Sequence, residues 1–253
     1  MKGKLNGLSL FSGYAGIDIG LSDYVRPLLY CEIERYAQGI LLSRMEDELI
    51  PFSPIWGDVR TLDGNQFKGL VDIVYGGFPC QDTSNAGKGK GLGGERSGLF
   101  FEIVRICREA SPKFVFLENV PGIRKRGSFE VQESLASIGY DTRFGLLSAA
   151  EIGANHRRDR YFCLAIKRDV SDPLRSGLGG KAFAGSEENN QRVGKGNGGT
   201  MPAALNGNWW AIGSELGRVD NGTPFRVDRI KALGNGVVPL QVKKAFEILM
   251  GVK

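Results

Sequence analysis

Val71-Asp72-Ile73-Val74-Tyr75-Gly76-Gly77-Phe78-Pro79-Cys80-Gln81 decides how this chain is read. Val71 to Tyr75 is a short run of β-favouring residues that stops at Gly76-Gly77. A cysteine then follows a proline in a glycine-bracketed loop, with Lys88, Lys90 and Arg96 downstream. Buried cysteines are usually inert packing, but a strand-end loop near cations can favour the thiolate. The same strand-then-breaker pattern recurs outward. Leu5 to Phe11 is an apolar run ending at Ser12-Gly13, and Phe114 to Leu117 follows Ser111-Pro112 and ends at Glu118-Asn119.

Helical stretches separate these runs. Ile17 to Tyr24, Tyr36 to Met45, Leu99 to Arg108 and Phe129 to Ile138 read as helices. Leu99, Phe100, Ile103, Val104 and Ile106 form the apolar side of the third. Further strand-like runs lie at Pro27 to Ile33, at Ile55 to Asp58, around Arg143 to Leu147 and at Tyr161 to Ile166. Strands alternating with helices predict an α/β fold: a mainly parallel, doubly wound sheet covered on both faces. The apolar texture fails between residues 171 and 222, which are rich in Gly, Asn and Ser and have no period, and a small irregular insert is expected there. Leu240 to Met250 reads as an amphipathic helix after Pro239. The expected division is therefore 1–170, 171–222 and 223–253.

Composition narrows the function. Of 253 residues, 42% are hydrophobic and 24% charged, which excludes a wholly disordered chain. No apolar run approaches the ~20 residues of a membrane span. The N-terminus runs almost directly into a strand, so no secretory signal is expected. Four scattered cysteines and one histidine argue against a disulfide framework and a structural zinc, and no metal is expected. The net charge of +5 admits a polyanion partner or simply a basic soluble protein. The 37 glycines are about double the usual share of ~7%. They crowd into turns at strand ends, the loop from Gly76 to Gly98, and residues 171 to 222.

In an open α/β sheet, ligands bind beyond the carboxyl ends of the strands. The first such turn is Phe11-Ser12-Gly13-Tyr14-Ala15-Gly16, whose small residues either admit a nucleotide or simply make a tight turn. Glu32, after Cys31, is either a ribose acceptor or an exposed loop carboxylate. Asp58, in Gly57-Asp58-Val59, ends the third strand. Together these three look like an adenosine-type pocket without the full dinucleotide fingerprint. Glu118 ends an apolar strand, where a carboxylate is costly unless used, although a capping Glu-Asn pair is the alternative. Asn155-His156-Arg157-Arg158-Asp159-Arg160 is either a solvated loop or a grip for phosphate or base.

The order Phe-x-Gly-x-x-Gly, Pro-Cys-Gln, Glu-Asn-Val, Arg-x-Arg and a final Gly-Asn-x-x-x-Pro resembles the DNA cytosine-5 methyltransferase family, over nearly the whole chain outside residues 171–222. Each motif is weak alone, and five in order are strong. The resemblance implies a sheet of the S-adenosylmethionine-dependent methyltransferase type with a small irregular target-recognition insert. It implies S-adenosylmethionine as methyl donor, held by Phe11, Gly13, Gly16, Glu32, Ile33, Asp58, Val59, Phe78 and Leu99, with Asn235, Gly236 and Val237 closing the site. Cys80 would be the nucleophile, Glu118 would bond the pyrimidine edge, and Arg158 and Arg160 would attend the flipped nucleotide. Gln81, Ser84, Asn119 and His156 would serve the DNA side, Asn119 also positioning its loop. Loop 81–98 would close over DNA as a lid.

The implied partner is double-stranded DNA, with a cognate restriction endonuclease as a second candidate. The implied enzyme is a compact monomer in the cytoplasm of a bacterial cell or phage-infected host. Ser9, Ala15, Asn155 and His156 depart from the residues common in the family at those places, and Arg226 to Leu233 would be a shortened penultimate motif. A transfer-RNA cytosine-5 methyltransferase is the nearest rival, but its Cys-Phe-Thr signature is absent. A non-catalytic DNA-binding relative is the other, and the joint presence of Cys80, Glu118, Arg158 and Arg160 argues against it.

Overall fold

A computed structural model describes residues 3–79, 98–169 and 236–252. Its elements in chain order are β1 (Leu5–Leu10), α1 (Gly16–Gly20), β2 (Val25–Cys31), α2 (Arg35–Glu46), β3 (Ile55–Trp56), β4 (Ile73–Gly77), α3 (Leu99–Ala110), β5 (Phe114–Asn119), α4 (Ile123–Arg126), α5 (Ser128–Ser137), β6 (Tyr140–Ser148), β7 (Asp159–Lys167) and α6 (Pro239–Met250). The strands form one seven-stranded sheet in the order β3-β2-β1-β4-β5-β7-β6. Four pairings are parallel, and β7 runs antiparallel to both β5 and β6. This is the mainly parallel α/β sheet that the alternation predicts. The strand order reverses between β1 and β4, so the turns after these strands flank a switch-point crevice.

Side-chain alternation splits the core across the two faces. Val74, Val115 and Leu117 point to the face covered by Phe100, Ile103 and Ile106 of α3 and by Val131 and Leu135 of α5. Ile73, Tyr75, Phe116 and Phe162 point to the opposite face, where Ile17 and Leu21 pack with Val242 and Phe246 of α6. The C-terminal helix therefore sits on the same sheet as the N-terminal strands. Pro239 occupies its first turn, where a missing N–H leaves no intrahelical bond unmade.

Several boundaries differ from the sequence reading. The strand β4 continues through Gly76 and Gly77 instead of stopping there, because the glycines serve close approach within the sheet. A Cβ on Gly76 would lie 2.0 Å from the Leu10 carbonyl oxygen, its neighbour in the parallel register. We expect Gly76→Ala to destabilise the fold by about 3 kcal/mol or more, since one surplus methyl typically costs ~1–3 kcal/mol and here the obstacle is backbone. Urea unfolding checks this, and an unchanged midpoint would contradict it. The strand β2 begins and ends two residues earlier than expected. Pro27 fits inside it because β3 pairs only with Tyr30 and Cys31, leaving no ladder on that side of Pro27. The helix α1 is shorter than expected, since the chain turns at Leu21 to begin β2 at Val25.

Candidate active site

The turn after β1 is held in an unusual backbone conformation. Phe11, Gly13 and Ala15 all have positive φ, at 53°, 54° and 58°. Ser12 ties it to the end of β2: its N–H donates to the Cys31 carbonyl at 3.0 Å, and its hydroxyl accepts from the Cys31 N–H at 3.2 Å. The carboxylate of Glu32 accepts from the Gly13 N–H and from the Glu34 N–H, each at 2.8 Å. Glu32 is buried and thus orders both lips of the crevice. A Cβ on Gly13 would meet nothing nearer than the Phe11 carbonyl at 3.8 Å, so the turn faces open space. Ile33 lies beside it, 59% exposed, as an apolar surface next to an acid. This arrangement suits the ribose and flat base of a nucleoside. Val59 is buried, and Leu99 and Phe11 pack on the cluster that contains it. Phe78 is a core residue, its ring 5.2 Å from Phe100.

Asp58 caps a short 3₁₀ turn and is gripped by Arg60, whose Nη2 lies 2.7 Å from Oδ2 and whose Nε lies 3.0 Å from Oδ1. The Arg60 guanidinium and N–H hold the Asp58 carboxyl below the usual range. The carboxylate expected to help hold S-adenosylmethionine is thus already paired with Arg60.

Glu118 stands at the centre of the second half of the site. It is the next-to-last residue of β5, opposite Gly77 on β4 and Phe162 on β7. A Cβ on Gly77 would lie 2.8 Å from Glu118 Oε2, so the glycine makes room for the carboxyl. Arg160 Nε lies 2.8 Å from Glu118 Oε1, and both side chains are only 12% exposed. Burial pushes Glu118 up to about 7, against the opposing pull of Arg160 and Arg158. Asn119 is buried and spends its side chain internally. Its Nδ2 donates to the Phe78 carbonyl at 3.1 Å, and its Oδ1 accepts from the Val120 N–H at 2.8 Å. It therefore fixes the end of β4 where the chain leaves toward Pro79.

The C-terminal segment meets both halves. A Cβ on Gly16 would lie 3.1 Å from Val237 Cγ1 and from its carbonyl oxygen. The Arg158 guanidinium donates to the Gly236 carbonyl, and burial lowers its pKa. His156 is exposed, with Nδ1 3.3 Å from Asn155 Oδ1. Cys80, Gln81, Ser84 and Asn235 lie outside the described residues, as do loop 81–97 and residues 171–222.

Among the described residues, Gln241 and Asp18 are buried polar groups that escape the motif reading. Gln241 is fully buried on the apolar face of α6. Asp18 of α1 is also buried, accepts from the Tyr75 hydroxyl at 2.7 Å and is pushed up to about 6 by burial. Each was detectable as a polar residue in an otherwise apolar stripe. Among the described residues no helix is long and apolar enough to cross a membrane.

The sequence profile of a family described as C-5 cytosine-specific DNA methylase matches residues 5–200. The type II methyltransferase M.CviJI of Paramecium bursaria Chlorella virus IL3A is 37% identical over 163 residues, covering 64% of this chain and 43% of that protein. The type II methyltransferase M.NgoMIV of Neisseria gonorrhoeae is 37% identical over 176 residues, covering 67% of this chain and 54% of that protein. Among solved structures, the S. pombe Dnmt2 methyltransferase superposes with a TM-score of 0.53 at 20% identity, covering 67% of this chain and 52% of that one. This last likeness speaks to the fold, which is of the methyltransferase type expected from the sequence. The chain spans about half the length of these relatives.

Proposed function

The chain belongs to the C-5 cytosine-specific DNA methylase family, and we propose that it transfers a methyl group to C5 of cytosine in double-stranded DNA. The observation that carries this reading is the buried Glu118–Arg160 pair at the end of β5, beside the strand that leads through Pro79 to Cys80. A carboxyl raised to about 7 can be protonated near neutral pH and can bond the N3 side of a pyrimidine. Cytosine C5 is a poor nucleophile. Attack of the Cys80 thiolate on C6 forms a C–S bond and pushes electron density toward N3, where Glu118 would supply the proton. C5 then has enamine character. After methylation N3 returns its proton to Glu118, a base removes the C5 proton, the C6–S bond breaks, and the thiolate is restored. Arg160 orients Glu118, and Arg158 would face the extruded nucleotide. A base inside the duplex is out of reach, so this chemistry requires flipping.

S-adenosylmethionine would supply the methyl group. The open turn at Gly13, the acid Glu32 and the exposed Ile33 fit its nucleoside, and Phe11, Val59, Leu99, Gly16 and Val237 with Gly236 would complete the site, Asn235 being the further residue that the family pattern assigns to it. Asp58 would meet the adenine amino group only by sharing or releasing Arg60. Gln81, Ser84 and His156 would contact DNA, and residues 171–222 would read the target sequence.

The test is incubation with labelled S-adenosylmethionine and either duplex DNA or transfer RNA. Label in duplex DNA is expected. Label only in transfer RNA, or in neither, overturns the reading. Bisulfite sequencing of DNA from an expressing host would identify the methylated cytosines.

A further inference from the structure

Gln241 is the one polar side chain in the buried stripe of α6, among Val242, Ala245, Phe246 and Leu249. Packing alone would be served as well by leucine or methionine, and a buried amide without partners is unfavourable by a few kcal/mol. Its Nε2 donates to the Leu147 carbonyl and to the Arg158 carbonyl, each at 2.7 Å. Those carbonyls belong to the two arms of the β6–β7 connection, at the base where the strands part. The Ala149 N–H also donates to the Arg158 carbonyl, at 3.2 Å. In the reverse direction, the Arg158 guanidinium donates to the Gly236 carbonyl just ahead of α6. The two segments are therefore laced by side chain to main chain both ways. Two residues beyond Arg158, Arg160 reaches Glu118.

We propose that Gln241 is a positioning residue, clamping the base of the β6–β7 connection so that Arg158 and Arg160 stay in register with Glu118. The inference rests on the reading of Glu118 and Arg160 as the pair that meets the pyrimidine. Among the described residues the groups facing Glu118 are few. The start of β7 contributes Arg160, the residue before it contributes Arg158, and β4 contributes the side-chain-free Gly77. Both arginines favour the ionised carboxylate, so loosening them lets burial act unopposed.

The decisive variant is Gln241→Met, which keeps length and volume but removes both N–H donors. Carboxyl ¹³C NMR follows the Glu118 titration in the free protein, with Glu118→Gln assigning the signal. The Glu118 midpoint is expected to rise by about half a pH unit or more. The conservative Gln241→His, which restores a ring N–H, should bring it part of the way back. Turnover on duplex DNA is expected to fall about tenfold, with KM for S-adenosylmethionine changed by less than about twofold. A lower melting temperature with an unmoved midpoint overturns the proposal, and so does lost turnover with an unmoved midpoint. The titration needs no catalysis. Failure of the wild type to methylate DNA would strike the functional reading and leave this result standing.

Discussion

Replacing Cys80 by alanine is expected to abolish methyl transfer and to eliminate the covalent adduct with duplex DNA containing 5-fluorocytosine. Once C5 has been methylated, fluorine there cannot leave as a proton, so elimination is blocked, the thiolate stays bound to C6 and the adduct survives denaturing electrophoresis. With alanine no C–S bond can form, while duplex DNA affinity should persist because the cations of the site remain. The local structure supports this choice of nucleophile. Asn119 pins the Phe78 carbonyl, Pro79 fixes the next φ, and the chain leaves β4 beside Glu118. The other three cysteines are poor candidates. Cys31, Cys107 and Cys163 are buried, and burial pushes the thiols of Cys31 and Cys163 up to about 12 and that of Cys107 up as well. None would carry appreciable thiolate at neutral pH. An adduct that persists in Cys80→Ala would show that the nucleophile lies elsewhere.

Glu118→Gln is expected to lower turnover by about 10²- to 10⁴-fold, the usual range for removing a general acid. It should also change the pH dependence. Glu118 is raised to about 7, so its protonated form prevails below that pH and is lost above it. The wild-type rate should therefore decline on the alkaline side with a midpoint near 7, and the variant should lack that limb. A variant that keeps it would assign the limb to another group. Stability has a matching signature. A carboxyl whose folded pKa lies above its unfolded value of 4.5 favours the folded state at low pH. That contribution is lost as pH rises through about 7. Urea unfolding between pH 4 and pH 8 should show this slope in the wild type and a shallower one in Glu118→Gln. Asp18, raised to about 6, should keep part of the slope in the variant.

Much of the architecture was legible without coordinates. Apolar runs broken by Ser12-Gly13, by Gly76-Gly77 and by Glu118-Asn119 mark three strand ends, and helices of fitting length lie between them. That information is local, because periodicity and breakers act over a few residues. The glycines of β4 were misread for the same reason. A glycine pair looks like a stop until the backbone of the neighbouring strand is known to pass within touching distance. Glu32 was legible as an acid at a strand end. Its bonds to the Gly13 and Glu34 N–H groups were not, since they depend on how β1 and β2 align.

The amino-acid sequence by itself determined the alternation of strands and helices, the order of the motifs and hence the family, because each is written in short runs of residue types. The tertiary structure alone decided that β7 enters antiparallel beside β5, and that this brings Arg160 onto Glu118. It likewise decided that Arg60 occupies Asp58, that Asn119 faces inward to Phe78, and that Gln241 clamps the connection carrying Arg158. These contacts join residues far apart in the chain, or choose among rotamers of one side chain. Their energies depend on burial and on the distance between partners, quantities that exist only once the sheet has closed its two faces.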